Sequence, residues 1–392
     1  MVTGMQLDPE DERILAGEEG ETRQKMLELL VALGKVFGAE RLVPIKSAQV
    51  SGASYKTIGK YGLEWLNSLD AKAVVPAVLN PIGMARTRWE EMGIDPVFAE
   101  KQQAVVAAYE RLGIRLDCTC TPYYLYETRY GDHLAWSESS AVCYANSVIG
   151  ARTNREGGPS ALAAAIIGKT PCYGLHLDKN RLPQMVIDVR ADTSKWTIAD
   201  YGALGYHAGK IVGNRIPYFR GITPGADSLK AIGAAMAATG AVALYHVEGV
   251  TPEAQKNKYD ISGIETVPVE QAEITRLFTD IPVDAIALGC PHCSPAELQE
   301  IARLLVGNIV TKPLYVFAAQ GVIDKNVRIV DNIEKSGARV FADTCMVVSP
   351  VMEQYGSIMV NSGKALAYVP NMCGGKARIG TLEDCIRVAT EF

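Results

Sequence analysis

The chain has 392 residues, of which 48% are hydrophobic and 21% charged, and its 39 basic and 44 acidic residues give a net charge of −5. This composition excludes an intrinsically disordered chain, and the acidic balance argues against nucleic acid or an anionic membrane as the main partner. The nine cysteines are too sparse for a disulfide scaffold. We therefore expect some of the thiols to bind metal or to carry chemistry.

Two features predict a cytoplasmic protein without a membrane anchor. Residues 1–8 lack the basic and apolar regions of a signal peptide. The most apolar stretch, residues 233–245, is shorter than the roughly 20 residues that a bilayer requires.

Helix and strand patterns alternate along the chain. Helices are predicted over residues 26–37, 98–112, 161–167, 198–212, 229–239, 294–305 and 327–335. Strands are predicted over residues 41–45, 114–117, 185–189, 241–246, 284–288, 314–318 and 339–342. The helix at 294–305 opens with a capping box, Ser294-Pro295-Ala296-Glu297. This alternation predicts an α/β fold with largely parallel sheets. Two or three lobes are expected within residues 1–392, with a candidate joint near 250–260.

Three predicted strands end at cysteines: the first at Cys118 and Cys120, the others at Cys290 and Cys345. Cys118 and Cys120 would point in opposite directions along a continuing strand, so at most one of the two is expected to be a ligand. Ligands of open α/β sheets bind beyond the carboxyl ends of strands, so three such ends could bring three thiolates together. Three thiolates on an iron–sulfur cluster would leave one iron open to act as a Lewis acid on a hydroxyl or carboxylate. The alternative for every cysteine is packing as a small buried hydrophobe. We expect that packing role for three others, which lie in or beside apolar segments: Cys143, Cys172 and Cys385.

The motif Cys290-Pro291-His292-Cys293 supports a second hypothesis, a thiol–disulfide oxidoreductase. A C-x-x-C between a strand and a helix is typical of redox sites, and a helix N-terminus would lower the pKa of the thiol. However, the motif lies deep in a long chain rather than near the start of a compact domain. Zinc is a further alternative, although no second close Cys/His pair accompanies the motif.

Polar clusters predict a substrate site. Residues 131–140 are dense in polar and aromatic side chains and lead into residues 146–158, where two arginines lie beside amides and hydroxyls. Such a set suits a carboxylate or phosphate, whereas the alternative is a helix cap followed by a solvated loop. The segments 46–49 and 361–364 each follow a strand and could hold an anion. The candidate substrate-binding residues are Lys46, Ser47, Gln49, Asn146, Ser147, Arg152, Thr153, Asn154, Arg155, Asn361, Ser362 and Lys364.

Five motifs follow one another along the chain: Thr119-Cys120-Thr121-Pro122, Trp136-Ser137-Glu138-Ser139-Ser140, Gly289-Cys290-Pro291-His292, Asp343-Thr344-Cys345 and Asn361-Ser362-Gly363-Lys364. On these motifs the chain resembles, over nearly its whole length, the large subunit of the aconitase X family. Residues 46–52 with Ser54-Tyr55 resemble the archaeal branch. That resemblance implies dehydration of (R)-mevalonate 5-phosphate to trans-anhydromevalonate 5-phosphate in the modified mevalonate pathway of isoprenoid biosynthesis. The alternative is the bacterial branch, which dehydrates cis-3-hydroxy-L-proline.

The resemblance implies an iron–sulfur cluster bound by Cys120, Cys290 and Cys345, expected to be a 4Fe–4S cluster with one open iron. Cys293 is not required by the family pattern and is left out of the ligand set. The resemblance also implies an aconitase-like catalytic body of several lobes that lacks the swivelling domain. A separate small subunit is therefore expected to carry that domain and the serine that acts as the base, and no base is assigned on this chain. The substrate is expected to be a small phosphorylated hydroxy acid.

Overall fold

Parallel strands dominate the sheets of this chain. The computed structural model describes residues 5–391, so part of the N-terminal segment that argued against a signal peptide lies outside the described residues. Within residues 5–391 every pairing in the three larger sheets is parallel, and a further two-stranded sheet is antiparallel. The predicted α/β class with largely parallel sheets is therefore confirmed. None of the helices in this range combines the length and the apolar character needed to span a bilayer.

The N-terminal part of the chain alternates helices with short strands. Its elements are α1 (Pro9–Leu15), α2 (Glu21–Val36), β1 (Leu42–Pro44), β2 (Ala48–Val50), α3 (Tyr55–Ser68), β3 (Ala77–Leu79), α4 (Pro96–Arg111), β4 (Arg115–Cys118), β5 (Ala135–Trp136), α5 (Ser139–Tyr144), α6 (Gly158–Ile167) and β6 (Lys169–Pro171). One sheet has the order β4-β3-β2-β5, and β1 pairs with β6 in another. Strand β4 ends two residues before Cys120, so the carboxyl end of this sheet positions the first candidate ligand.

The middle part forms a second parallel sheet of order β10-β7-β8-β9. Helices α7 and α8 pack so closely at Gly205 that a Cβ there would lie only 2.4 Å from the carbonyl oxygen of Ile232. The candidate joint near residues 250–260 falls on α9, which connects two strands of this one sheet, and the division into lobes stays a prediction. The elements are β7 (Met185–Val189), α7 (Ile198–Val212), β8 (Pro217–Arg220), α8 (Ala226–Gly240), β9 (His246–Val247), α9 (Pro252–Lys256), β10 (Thr266–Val269) and α10 (Gln271–Thr275).

The strand predicted over residues 241–246 is wrong for most of its length, since β9 begins only at His246. Ala241 adopts a left-handed conformation with φ 59° and ends α8 instead. The apolar residues that follow are buried, but Tyr245 donates its backbone N–H to the Ser147 hydroxyl at 2.9 Å rather than to a neighbouring strand. Burial explains the apolar pattern here without a β-ladder.

The C-terminal part forms the third parallel sheet, of order β13-β12-β11-β14-β15. The predicted capping box is confirmed, because Ser294 accepts from the Glu297 N–H at 3.1 Å and Glu297 accepts from the Ser294 N–H at 2.7 Å. The elements are β11 (Ala285–Cys293), α11 (Pro295–Leu304), β12 (Leu314–Ala318), α12 (Gln320–Lys325), α13 (Val327–Lys335), β13 (Arg339–Ala342), β14 (Ser357–Val360), α14 (Gly363–Met372), β15 (Lys376–Ile379) and α15 (Leu382–Thr390).

A buried ion pair joins the middle sheet to the loops around residues 146–181. Arg181 and Glu253 are 2% and 5% exposed, and the Arg181 Nε–H donates to the Glu253 carboxylate at 2.7 Å. The guanidinium also donates to the carbonyl oxygens of Asn146, Ala151 and Leu175 at 2.9–3.1 Å. Each guanidinium nitrogen therefore has a partner in the protein, which fixes these loops against α9.

Replacing Glu253 by Gln is expected to lower the free energy of unfolding by about 3–5 kcal/mol, because the Arg181 charge stays buried without its counter-ion. Urea denaturation of the cluster-free chain measures this change. The matched control is Glu300→Gln, which breaks the exposed pair with Arg303 and should leave the urea midpoint unchanged. Equal midpoints for the two variants would contradict the prediction.

Candidate functional site

The three cysteines predicted as ligands come together between the first and the third sheet. Cys120 and Cys290 are 7% and 6% exposed, and Cys345 is partly buried. Burial, opposed by the nearby Lys364, raises the pKa of the Cys120 thiol to about 12, and Cys345 adds to the rise. Burial likewise raises the pKa of Cys290 well above its usual range, with further contributions from Cys345 and Cys120. The three thiols therefore lie within electrostatic range of one another.

Backbone hydrogen bonds from the end of β3 and the residues that follow it hold two of the cysteine loops. The Leu79 carbonyl accepts from the Thr119 N–H at 2.9 Å, next to Cys120. Three residues further on, the Ile82 N–H donates to the Asp343 carbonyl at 2.8 Å and the Ile82 carbonyl accepts from the Cys345 N–H at 2.9 Å. The Cys120 loop of the first sheet and the Cys345 loop of the third are thereby aligned on one strand end.

Cys290 lies in an irregular stretch of β11 between Leu288 and Cys293, called the Cys290 loop below. His292 connects this stretch to the other two cysteine loops. Its backbone N–H donates to the Cys120 sulfur at 3.2 Å, and its ring is fully buried. The ring lies 2.8 Å from the Thr344 carbonyl through Nε2 and 3.1 Å from the Thr119 hydroxyl through Nδ1. Burial lowers the pKa of His292 to about 4, so the ring is neutral at physiological pH.

The donor set suits thiolates that bind a cluster. The backbone N–H of His292 donates to the Cys120 sulfur, and the nearby N–H groups of Val347 and Val348 act against burial to lower the pKa of the Cys345 thiol. Such bonds stabilise the thiolate and tune a cluster. Among residues 5–391 no three His, Cys, Asp or Glu side chains converge on the position of a single metal ion. In a cluster each thiolate binds a different iron, so its donors need no common focus.

A buried ion pair lies beside the three thiols. Lys364 donates to the Glu138 carboxylate at 2.5 Å and to the Ser140 hydroxyl at 3.1 Å, and both charged side chains are 7% exposed. Although burial opposes it, Lys364 lowers the pKa of the Glu138 carboxyl. Lys364 also acts to lower the pKa of all three thiols. Glu138 therefore holds the positive charge of Lys364 in place near the sulfur atoms.

Glu138 was not among the predicted site residues. Residues 136–140 form part of a polar cluster in the sequence, but no periodic pattern singles out this carboxylate. In the structure Glu138 is the N-cap of α5, and its side chain accepts from the Ala141 N–H at 2.8 Å. A capping role and an ion pair across sheets are thus combined in one residue.

Three predicted substrate-binding residues lie beside the cysteines: Gln49, Ser362 and Lys364. The Gln49 amide donates to the Thr119 carbonyl at 2.8 Å and accepts from the Glu138 N–H at 3.3 Å. Ser362 donates to the Cys290 carbonyl and caps α14. All three therefore position the cysteine loops or their neighbours, and a direct contact with substrate stays a prediction.

Four other candidates are engaged by the protein: Asn146, Ser147, Thr153 and Asn154. Asn146 donates to the Thr153 and Ala243 carbonyls and accepts from the Thr153 N–H. Ser147 accepts from the Tyr245 N–H at 2.9 Å. Thr153 donates to the Asn154 carbonyl, and the Asn154 amide donates to the Tyr173 carbonyl. These contacts favour a structural role for all four side chains.

The remaining candidates are more accessible. Lys46 and Arg155 are exposed and form no ion pair with the described residues. Arg152, in contrast, pairs with Asp178, and the Ser47 hydroxyl accepts from the indole N–H of Trp136 at 3.1 Å. Asn361 lines a cavity of about 350 Å³ whose walls include the carboxylates Asp227, Glu297, Glu300 and Glu383.

The comparisons with known proteins agree with the sequence motifs. Family models described as the first, second and third domains of aconitase X match residues 4–179, 183–279 and 283–391. The chain belongs to the aconitase X family. This confirms the resemblance read from the cysteine and glutamate motifs.

Aconitase X relatives from archaea match almost the whole chain. The phosphomevalonate dehydratase large subunit of Methanosarcina mazei is 53% identical over 391 residues, covering 98% of this chain and 97% of that protein. The protein of the same name from Methanothermobacter thermautotrophicus is 51% identical, covering 94% of each. The crystal structure of Thermococcus kodakaraensis aconitase X in its holo-form matches with a TM-score of 0.90 at 46% identity, covering 98% of this chain and 100% of that one. The cis-3-hydroxy-L-proline dehydratase of Pseudomonas aeruginosa is more distant, at 32% identity.

The second cysteine of the C-x-x-C motif packs in a different apolar cluster from the first. Cys293 is 2% exposed and packs in the core of the third sheet. Burial raises the pKa of both Cys290 and Cys293 well above the usual range, and neither thiol forms a disulfide. Thiol–disulfide exchange requires an accessible thiolate, so these thiols disfavour the redox hypothesis.

Lys364→Met should lower the free energy of unfolding of the cluster-free chain by about 3–5 kcal/mol, because Glu138 is left buried and unpaired. The double variant Glu138→Gln/Lys364→Met should recover part of this loss, because no charge remains uncompensated. A double-mutant cycle by urea denaturation measures the coupling. Simple additivity of the two single effects would show that the pair does not interact.

Proposed function

We propose that this chain is the large subunit of a phosphomevalonate dehydratase, which removes water from (R)-mevalonate 5-phosphate to give trans-anhydromevalonate 5-phosphate. The observation that carries the proposal is the convergence of three thiols, two buried and one partly buried, near the carboxyl ends of three strands in a chain about half identical to archaeal relatives of that name. The alternative substrate, cis-3-hydroxy-L-proline, is supported by relatives at 32% identity. A place in the modified mevalonate pathway follows from the favoured substrate.

We further propose that Cys120, Cys290 and Cys345 hold an iron–sulfur cluster. The support is the burial of Cys120 and Cys290, the His292 N–H that donates to the Cys120 sulfur, and the nearby charge of Lys364, which lowers the pKa of all three thiols. When bound, a cluster with an iron that lacks a protein ligand supplies a Lewis acid for the departing hydroxyl.

The residues of this chain bind and orient the substrate in the proposed reaction. Lys46 and Arg155 are exposed cations, available to the phosphate and carboxylate, and bidentate contacts of arginine suit both groups. In the elimination the C2–H and C3–O bonds break, the C2=C3 bond forms, and the hydroxide leaves as water. The C2 proton needs a base. Glu138 is a poor one, because Lys364 lowers its pKa and both carboxylate oxygens are hydrogen-bonded.

The base is therefore proposed to lie on a partner. The archaeal relatives are named as large subunits, which supports a small subunit for this chain too. We propose that this small subunit carries the swivelling domain and a serine that removes the C2 proton. The two chains together would form a cytoplasmic heterodimer or a larger assembly.

Single changes Cys120→Ala, Cys290→Ala and Cys345→Ala are each expected to lower the iron and sulfide bound per chain and to abolish water elimination. The reason is the loss of one of three ligands. Iron and acid-labile sulfide are measured after anaerobic reconstitution with the small subunit. Cys293→Ala is the matched control, since it removes a neighbouring buried thiol, and it should keep cluster and activity. A full cluster in any of the first three variants would remove that residue from the ligand set.

The reconstituted pair should release water from mevalonate 5-phosphate but not from unphosphorylated mevalonate or cis-3-hydroxy-L-proline, because the exposed cations are proposed to bind the phosphate. Product formation is followed by mass spectrometry with each substrate in turn. Turnover of hydroxyproline alone would assign the chain to the other activity of the family.

A further inference from the structure

The ring and the backbone of His292 contact the loops that carry all three cysteines. His292 follows Cys290 by two residues, its N–H donates to the Cys120 sulfur at 3.2 Å, and its Nε2 lies 2.8 Å from the carbonyl of Thr344, next to Cys345. The segment after β3 already joins the Cys120 and Cys345 loops. His292 adds the Cys290 loop to that pair.

The hydrogen bonds define how the ring is used. A carbonyl oxygen can only accept, so Nε2 carries the proton and donates to Thr344. Nδ1 then accepts from the Thr119 hydroxyl, whose oxygen in turn accepts from the Thr121 N–H at 3.0 Å. A neutral imidazole in this one tautomer is both donor and acceptor, at two points on opposite sides of the ring.

The backbone of His292 is fixed as well. Its carbonyl accepts from the ammonium of Lys230 at 3.3 Å, and that ammonium is buried and paired with Glu297 at the start of α11. The residue is therefore held by its N–H, its carbonyl and both ring nitrogens. So many constraints on one fully buried residue exceed what packing of the core requires.

We infer that His292 is a positioning residue that sets the three cysteine loops at their ligand-binding spacing. The inference rests on the proposed function, in that Cys120, Cys290 and Cys345 are taken to hold a cluster. Partners in the second shell of a metal site orient the ligands, and their loss weakens metal binding by about 10- to 100-fold. His292 acts in this way through the loops, without itself contacting substrate or iron.

Three substitutions separate the two ring contacts. His292→Asn keeps an acceptor near the position of Nδ1, His292→Gln keeps a donor near that of Nε2, and His292→Leu removes both. The matched control is His246→Leu, because His246 is equally buried and its Nε2 also bonds a backbone carbonyl, that of Arg181, at 2.8 Å. It lies in the second sheet, away from the cysteines.

Each chain is reconstituted anaerobically with iron and sulfide in the presence of the small subunit. The decay of the visible cluster absorbance is then followed after addition of an iron chelator. His292→Leu should lose its cluster about 10- to 100-fold faster than the wild-type chain. The Asn and Gln variants should fall between the two, and His246→Leu should decay at the wild-type rate despite a lower melting temperature.

Wild-type decay in His292→Leu, or equally fast decay in His246→Leu, would overturn the positioning role while leaving the cluster proposal intact. A wild-type chain that takes up neither iron nor sulfide would overturn both the cluster and the role of His292. Partial rescue by Asn or Gln supports positioning through the ring contacts. Asn and Gln variants that are both as labile as His292→Leu would exclude it.

Discussion

Three sulfur atoms that would have to ionise to hold the proposed cluster lie where burial disfavours their ionised form, and the surrounding groups oppose this effect of burial. Burial is the largest cause of the raised pKa of each thiol. Backbone N–H groups and the Lys364 ammonium act in the opposite direction. Lys364 is itself buried and needs Glu138, which also caps a helix. The chemistry of the thiols therefore determines a chain of buried polar contacts that extends across two sheets.

Parallel sheets make this convergence possible. The carboxyl ends of parallel strands lie at the same edge of a sheet. The loops after β4 and β13 carry Cys120 and Cys345 at such edges, and an irregular stretch near the end of β11 carries Cys290. Ile82 pairs with residues 343–345 and so joins the two edges through backbone hydrogen bonds. The site thus lies between sheets, and its geometry depends on how they pack.

Local patterns of hydrophobic residues predicted most of the helices and strands. They failed where apolar residues are buried without forming a strand. The helices predicted over residues 198–212 and 327–335 and the strand predicted over residues 314–318 are present in the structure. Each helix buries one face, and the strand is buried along its whole length, so the sequence pattern reflects the burial. The strand predicted from the apolar run at 241–246 was wrong, because residues that are buried without strand pairing show the same apolar pattern as a strand. Helices such as α3 and α14 were not predicted from the pattern.

The sequence by itself determined the α/β class, the family and the three cysteines at strand ends, because periodicity and short motifs are local properties of the chain. Only the tertiary structure decided which polar residues surround those cysteines. Glu138 and His292 act on residues more than 50 positions away, and Asn146 turned out to be engaged by backbone groups. Contacts over such separations depend on the packing of three sheets, which no local pattern encodes.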